Sequence, residues 1–211
     1  MTRLIRLDAE APDRLPPEVF VSLREGGLVI CPTDTLYGLA ADPFSGKGLD
    51  RLVAAKSRDR GKPVPLLLAG PQDVGRWARR VPDGASRLMR RFWPGALTLV
   101  LPAVPGIHPA LTGGGDTVGL RVPDHPVPRA LARGVSGAVT GTSANRGGEP
   151  GEWDSPEEIV REFSGEVDWV LWGGSRPSPG STVVRMTDEH PALLRDGAIP
   201  FRVIMEFLEK G

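Results

Sequence analysis

The chain has 211 residues, 40% hydrophobic and 25% charged, an ordinary composition with room for one domain and a substantial core. Its 26 Lys and Arg offset its 26 Asp and Glu, which excludes a global attraction to nucleic acid or to a membrane surface. The single cysteine, Cys31, excludes an intrachain disulfide and points to a reducing compartment, hence the cytoplasm; the start, MTRLIRLDAE, has no signal-peptide core, and no apolar stretch is long enough to span a membrane.

The run LIRL at the start reads as a strand, followed by a Pro/Asp turn. Residues 16–25 read as a helix with Val19, Phe20 and Leu23 inward and Gly26-Gly27 as its stop. Leu28-Val29-Ile30 is a buried strand that ends in the small polar cluster Pro32-Thr33-Asp34-Thr35, just before Tyr37, the only tyrosine. A helix is expected over about 49–57, with Leu49, Leu52 and Val53 on one face. Lys56 falls in that phase. A lysine facing inward needs a partner, because an unpaired buried charge is costly; a lysine snorkelling out at a helix C-terminus fits the pattern as well. Arg58, Arg60 and Lys62 follow. Hydroxyls at a strand end near cations at a helix end make residues 31–63 a candidate anion site, and the stretch around which the chain is organised.

Residues 64–69 read as a further strand, whose start places Lys62 close to the cleft. Residues 71–81 read as a helix carrying Val74, Trp77, Ala78 and Val81 on one face, and 84–92 as another with Ala85, Leu88, Met89 and Phe92 in phase, ended by Pro94-Gly95. Trp77 and Trp93 suit base stacking in principle, but aromatics beside such a stripe are usually core. The cations of 47–62 and Arg76, Arg79, Arg80, Arg87, Arg90 and Arg91 are candidate basic patches, with solvation the default explanation for the second set. A strand over 97–101 contains Thr98, and 102–116 is a Pro/Gly-rich loop. In the strand 118–122, Arg121 points opposite to Leu120 and Val122, toward solvent or toward a cleft.

A short helix over 126–133 precedes a strand at 138–140, which opens into Gly141-Thr142-Ser143-Ala144-Asn145 and Gly147-Gly148. Such clusters let backbone N–H groups approach phosphate. Alone the signal is weak, and it is neither a P-loop nor a Gly-x-Ser-x-Gly elbow. Ser155-Pro156-Glu157-Glu158 reads as a capping box opening a helix to about 163. Strands at 169–172 and 181–184 flank a Gly/Ser loop, Arg195 sits at a strand end, and 200–210 is a terminal helix with Ile204, Phe207 and Leu208 inward. His108, His125 and His190 each precede a proline and lack metal-ligand spacing. The irregular alternation, without repeat or linker, implies an α/β chain forming a single domain over 1–211, a twisted open mixed sheet with helices packed on it.

The segments PTDTLYGLAADP, KSRDRGKP, PGALTLVLP, VGLRVPDHP, TGTSAN and STVV resemble, in this order, the motifs of the YrdC/TsaC family. Each is modest alone; six in order, over about residues 27–195, are specific. The resemblance implies a YrdC-like fold with a basic central cleft, without the C-terminal domain of longer relatives. It also implies a nucleotidyltransferase, threonylcarbamoyl-AMP synthase. Such an enzyme takes L-threonine, bicarbonate and ATP, and its product serves threonylcarbamoyladenosine modification of tRNA through a separate transferase complex. By resemblance, Thr35 holds the threonine, and Lys56 and Arg58 act at the ATP phosphates. Lys62 lies near the substrate amino acid. Thr117 and Arg121 match the strand motif, Arg121 pairing with the threonine carboxylate. Gly141 replaces a larger residue of many relatives and widens the wall. Ser143 and Asn145 sit at the phosphates or metal, Ser181 lines the substrate pocket, and Arg195 contacts the nucleotide. Magnesium is expected to be held mainly by phosphates and water, with no protein metal site. The alternatives are a double-stranded RNA or tRNA-binding module without catalysis, and a carbamoyl-phosphate-handling domain of the kind found in the larger hydrogenase-maturation carbamoyltransferases.

Overall fold

The computed structural model describes residues 2–56, 61–145, 153, 155–174 and 178–210. Strand β1 (Arg3–Arg6) leads to α1 (Pro17–Arg24), which starts on a proline and buries Val19 and Leu23. The apolar run after the Gly26-Gly27 stop gives the wholly buried β2 (Val29–Cys31), and β3 (Gly38–Ala40) returns antiparallel to it. Helix α2 (Gly46–Ala55) is opened by Ser45, whose hydroxyl accepts from the Gly48 N–H, and it buries Leu49 and Leu52. β4 (Leu66–Leu68) is buried throughout. α3 (Asp83–Phe92) sets Ala85, Leu88 and Met89 into the core. β5 (Leu97–Pro102), the four-residue α4 (Pro109–Thr112), β6 (Thr117–Arg121) and α5 (Pro126–Gly134) follow. Then come β7 (Ala138–Thr140), β8 (Thr142–Ser143), α6 (Pro156–Glu162), β9 (Trp169–Trp172), β10 (Thr182–Arg185), β11 (Ala192–Arg195) and α7 (Phe201–Glu209). No helix among the described residues is long and apolar enough to cross a membrane.

The strands form two mixed open sheets rather than the one expected. Five strands run in the order β1-β9-β2-β3-β8 and six in the order β11-β10-β5-β6-β4-β7. The chain passes from the second sheet to the first at one residue, Gly141, between β7 and β8. There the Gly141 N–H donates to the Pro65 carbonyl and the Thr140 N–H to the Ala41 carbonyl, so the crossing is bonded on both sides. Strand alternation divides the core accordingly. Leu28 and Ile30 enter a larger cluster with Leu66, Leu68 and the inward faces of α2 and α3. Val29 and Cys31, on the opposite face, pack with Leu67, α1 and α5. Each wholly buried leucine is worth about 1.5–3 kcal/mol against exposure. Trp77 and Trp93 are 3% and 7% exposed and belong to the larger cluster, as core residues.

Two local expectations change. Over 71–81 the chain forms a 3-10 helix, Pro71–Arg76, and Ala78 then bridges to Ala103. Gly75 weakens an α-helix there, and the bridge draws the chain into an extended path. Val74, Trp77 and Ala78 are still buried, because their spacing suits the tighter turn too. The loop 102–116 contains α4, opened by His108: its Nδ1 accepts from the Ala110 N–H at 3.2 Å. His125 opens α5 in the same way, accepting from the Val127 N–H at 3.3 Å. A histidine before a proline at the first helical position is thus a cap in two of the three cases.

Candidate active site

The six-stranded sheet supplies the floor of a cavity of about 370 Å³. Alternation on β5 turns Thr98 and Val100 to it, on β6 Thr117, Gly119 and Arg121, and along β10 Ser181, Val183 and Arg185. Val183 pairs with Thr98 and Leu67 with Arg121, and continuing the β5–β6 register by one pair sets Thr98 against Arg121. The next row holds Arg185, Val100 and Gly119. The turn after β2, through Thr33, Thr35, Leu36, Tyr37 and Gly38, forms one wall, and 141–143 another.

Arg121 is buried, its side chain 6% exposed, and it is anchored from three directions. Its Nε donates to the Gly95 carbonyl at 2.9 Å, one Nη to Thr35 Oγ1 at 3.0 Å, and the other pairs with Asp34. Three of the five guanidinium N–H groups are used among the described residues, leaving two for a ligand. Proton counting fixes the hydroxyls beside it. Thr33 Oγ1 donates to the Leu36 carbonyl at 2.7 Å and lies 3.1 Å from Thr35 Oγ1. The Thr35 proton therefore goes to Thr33. Thr35 accepts from Arg121 and keeps one lone pair for an N–H on a ligand.

Ser181 and Thr98 hydroxyls lie 2.8 Å apart. Arg195 folds against this pair, donating from Nε and Nη2 to the Ser181 carbonyl at 3.0 and 2.8 Å and from Nη2 to the Ser181 hydroxyl at 3.0 Å. Tyr37 stacks on Trp172 with ring centroids 5.4 Å apart. Its hydroxyl accepts from the Gly173 N–H and donates to the Gly174 carbonyl, fixing the chain beside the cavity.

Lys56 is 5% exposed, the inward-facing arrangement of the two its pattern allows. Its ammonium lies 2.6 Å from the Ser143 carbonyl and 2.7 Å from Asn145 Oδ1, and also donates to the Asn145 carbonyl. Ser143 Oγ donates to the same Asn145 Oδ1 at 2.6 Å. Lys56 and Asn145 thus brace the turn from behind, while Ser143 lines the cavity.

Among the residues singled out by sequence, the cavity brings together Thr35, Thr117, Arg121, Gly141, Ser143, Ser181 and Arg195. Lys62 is exposed and outside the lining, one residue before Pro63, which lines it. Arg58 lies outside the described residues, as do Arg60 and Gly147-Gly148. Gly141 does not widen the wall. A Cβ there would stand 2.4 Å from Leu67 Cγ, so Leu67 fills the space a larger residue would take. Asp34, Thr98 and Arg185 had no site role assigned from sequence. Thr98 and Arg185 were detectable by alternation with Val100 and Ser181; Asp34 stood in the polar cluster without a visible partner. Burial pushes the Cys31 thiol up to about 12, a core residue and no nucleophile.

A family model described as "Telomere recombination", that of Sua5, YciO and YrdC proteins, matches residues 21–197. The chain is 36% identical over 183 residues to the threonylcarbamoyl-AMP synthase of Pyrococcus abyssi, covering 86% of this chain and 54% of that protein. It is 38% identical over 188 residues to a putative threonylcarbamoyl-AMP synthase of Mycobacterium tuberculosis, covering 89% of this chain and 86% of that one. The crystal structure of Pyrococcus abyssi Sua5 complexed with L-threonine matches with a TM-score of 0.88 at 32% identity, over 98% of this chain and 61% of that chain. The chain therefore spans little more than half of the Pyrococcus protein and most of the Mycobacterium one. The family match takes in most of the chain and every residue that lines the cavity, and with the identity to these relatives it shows that this chain belongs to the Sua5/YciO/YrdC family.

Proposed function

We propose that the chain is an L-threonylcarbamoyladenylate synthase, a nucleotidyltransferase that joins L-threonine, bicarbonate and ATP into threonylcarbamoyl-AMP and releases pyrophosphate. The observation that carries this reading is the anchored Arg121 beside the hydroxyls of Thr35, Thr98 and Ser181, in a cavity with no carboxylate among its described lining residues. Such a site suits a small hydroxy-amino acid next to a polyphosphate. The two remaining Arg121 N–H groups take the threonine carboxylate in a forked contact. Thr35 accepts from the threonine nitrogen, and the Thr98–Ser181 pair meets the threonine hydroxyl. Thr117, Gly141 and Lys62 complete the surroundings of the amino acid.

The threonine amine forms its N–C bond to the bicarbonate carbon, and water leaves. A carbamate oxygen then attacks the α-phosphorus of ATP; that O–P bond forms as the bond to the β-phosphate oxygen breaks. Charge gathers on the phosphate oxygens, where preorganised donors lower the barrier. Ser143 faces the phosphates, Arg58 is assigned to them by its place in the KSRDRGKP motif, Lys56 and Asn145 hold the turn that presents Ser143, and Arg195 contacts the nucleotide. Among the described residues there is no cluster of three or more His, Cys, Asp or Glu to hold a metal. Asn145 Oδ1 already accepts from Lys56 and Ser143 and does not fit a metal, whereas the Ser143 hydroxyl oxygen, which faces the cavity, would meet magnesium that arrives on the nucleotide and is held mainly by phosphates and water, where it would neutralise phosphate charge. The adenylate passes to a separate transferase complex that modifies tRNA, in the cytoplasm.

The test is pyrophosphate release with Mg-ATP and bicarbonate, with and without L-threonine. Threonine-dependent release is expected, reduced about a hundredfold in Arg121→Ala, the scale of losing a buried charged hydrogen-bond pair. Arg121→Lys, which keeps the charge facing Asp34, separates this loss from misfolding. Threonine-independent behaviour in folded protein would replace the synthase reading with the RNA-binding module.

A further inference from the structure

Three arginines line the cavity, and they differ in what their charge already meets. Arg121 faces the Asp34 carboxylate. Arg195 is spread over the carbonyl and hydroxyl of Ser181. Arg185 is exposed, and its guanidinium makes no hydrogen bond or ion pair among the described residues. No Asp or Glu stands among the described residues of the lining. An uncompensated guanidinium on a concave wall free of carboxylates raises the local positive potential and draws anions to it.

Its placement is set by the sheet. Arg185 lies two residues beyond Val183 and four beyond Ser181, so all three face the cavity. It shares a row with Val100 and Gly119, next to the row of Thr98 and Arg121. Gly119 keeps the floor low between Arg185 and the far wall: a Cβ there would stand 3.2 Å from the Cβ of Pro65. A ligand can therefore lie across the floor, with one end at Arg121 and a charged group within reach of Arg185.

We propose that Arg185 binds a phosphate of the nucleotide substrate, a substrate-binding residue in addition to those already named. The inference rests on the synthase reading for the identity of the nucleotide. Titration calorimetry with Mg-ATP and with adenosine, on the wild type, Arg185→Gln and Arg185→Lys, tests it. Arg185→Gln is expected to weaken ATP binding about tenfold, the share of one charge-assisted hydrogen bond, and to leave adenosine binding unchanged. Arg185→Lys recovers part of the loss, because a point charge replaces the fork. In pyrophosphate release the KM for ATP rises while that for threonine stays. Equal ATP binding by wild type and Arg185→Gln overturns this inference alone. An equal loss for adenosine overturns it in favour of a base contact. Failure of the wild type to bind ATP overturns both this inference and the synthase reading.

Discussion

At the scale of single residues, Asp34 and Arg121 form the pair on which the site's geometry turns. The carboxylate holds one arm of the guanidinium, while Gly95 and Thr35 hold the others. Asp34→Asn keeps an acceptor but removes the charge that fixes that arm. Asp34 is a positioning residue, so the expected result is a KM for threonine about tenfold higher with the KM for ATP unchanged, the worth of one charge-assisted contact. Steady-state pyrophosphate release measures both, and a rise in the ATP value instead would place Arg121 at the nucleotide. Arg121 was visible in the sequence as the charged residue out of phase with its apolar neighbours. Its partner was not, because 87 residues separate them and strand periodicity carries no information on pairing between sheets. Lys56 repeats the pattern: its inward phase was legible, but the oxygens that satisfy it lie 87 and 89 residues on.

At the scale of elements, strand alternation and helical phase located most segments; β3 and β8, three and two residues long, are too short to show alternation and read as turn and loop, and the other errors have local causes. The 71–81 segment kept its buried face but not its α-helical form, since residues three and four apart also stack in a 3-10 turn. The helix α4 was hidden in a Pro/Gly-rich loop because its cap is a histidine, outside the usual Ser, Thr, Asp and Asn. The crossing at Gly141 is a packing solution between two elements. Leu67 of β4 occupies the place of a side chain at 141. Gly141→Ala is expected to cost about 1–3 kcal/mol by overpacking. In a Leu67→Ala background the same substitution costs much less, because the cavity left by leucine receives the methyl. Urea unfolding of the four proteins gives the coupling. Additive losses would mean that Leu67 swings aside freely.

At the scale of the whole molecule, the fold class and the mixed strand directions were legible, but the division into two sheets was not, since one glycine between two short strands looks like a turn. Cys31 reports on the integrity of this arrangement. Its thiol is wholly buried and pushed up to about 12 by desolvation, so the reactive thiolate forms only when β2 is uncovered. Labelling by a thiol reagent is expected to be slow in the native protein. It should slow by up to about a hundredfold more with Mg-ATP at a hundred times its dissociation constant, because a ligand held by the native state suppresses opening. A rate indifferent to ligands would assign the exposure to local fraying of β2. The crossing also has a mechanical consequence. Thr140, in one sheet, donates from its hydroxyl to Leu39 and accepts from the Ala41 N–H, both at β3 of the other sheet or its end, while Lys56 clamps the turn that follows. The wall bearing Gly141 and Ser143 cannot shift without breaking these bonds, so it stands as the fixed jaw of a vice.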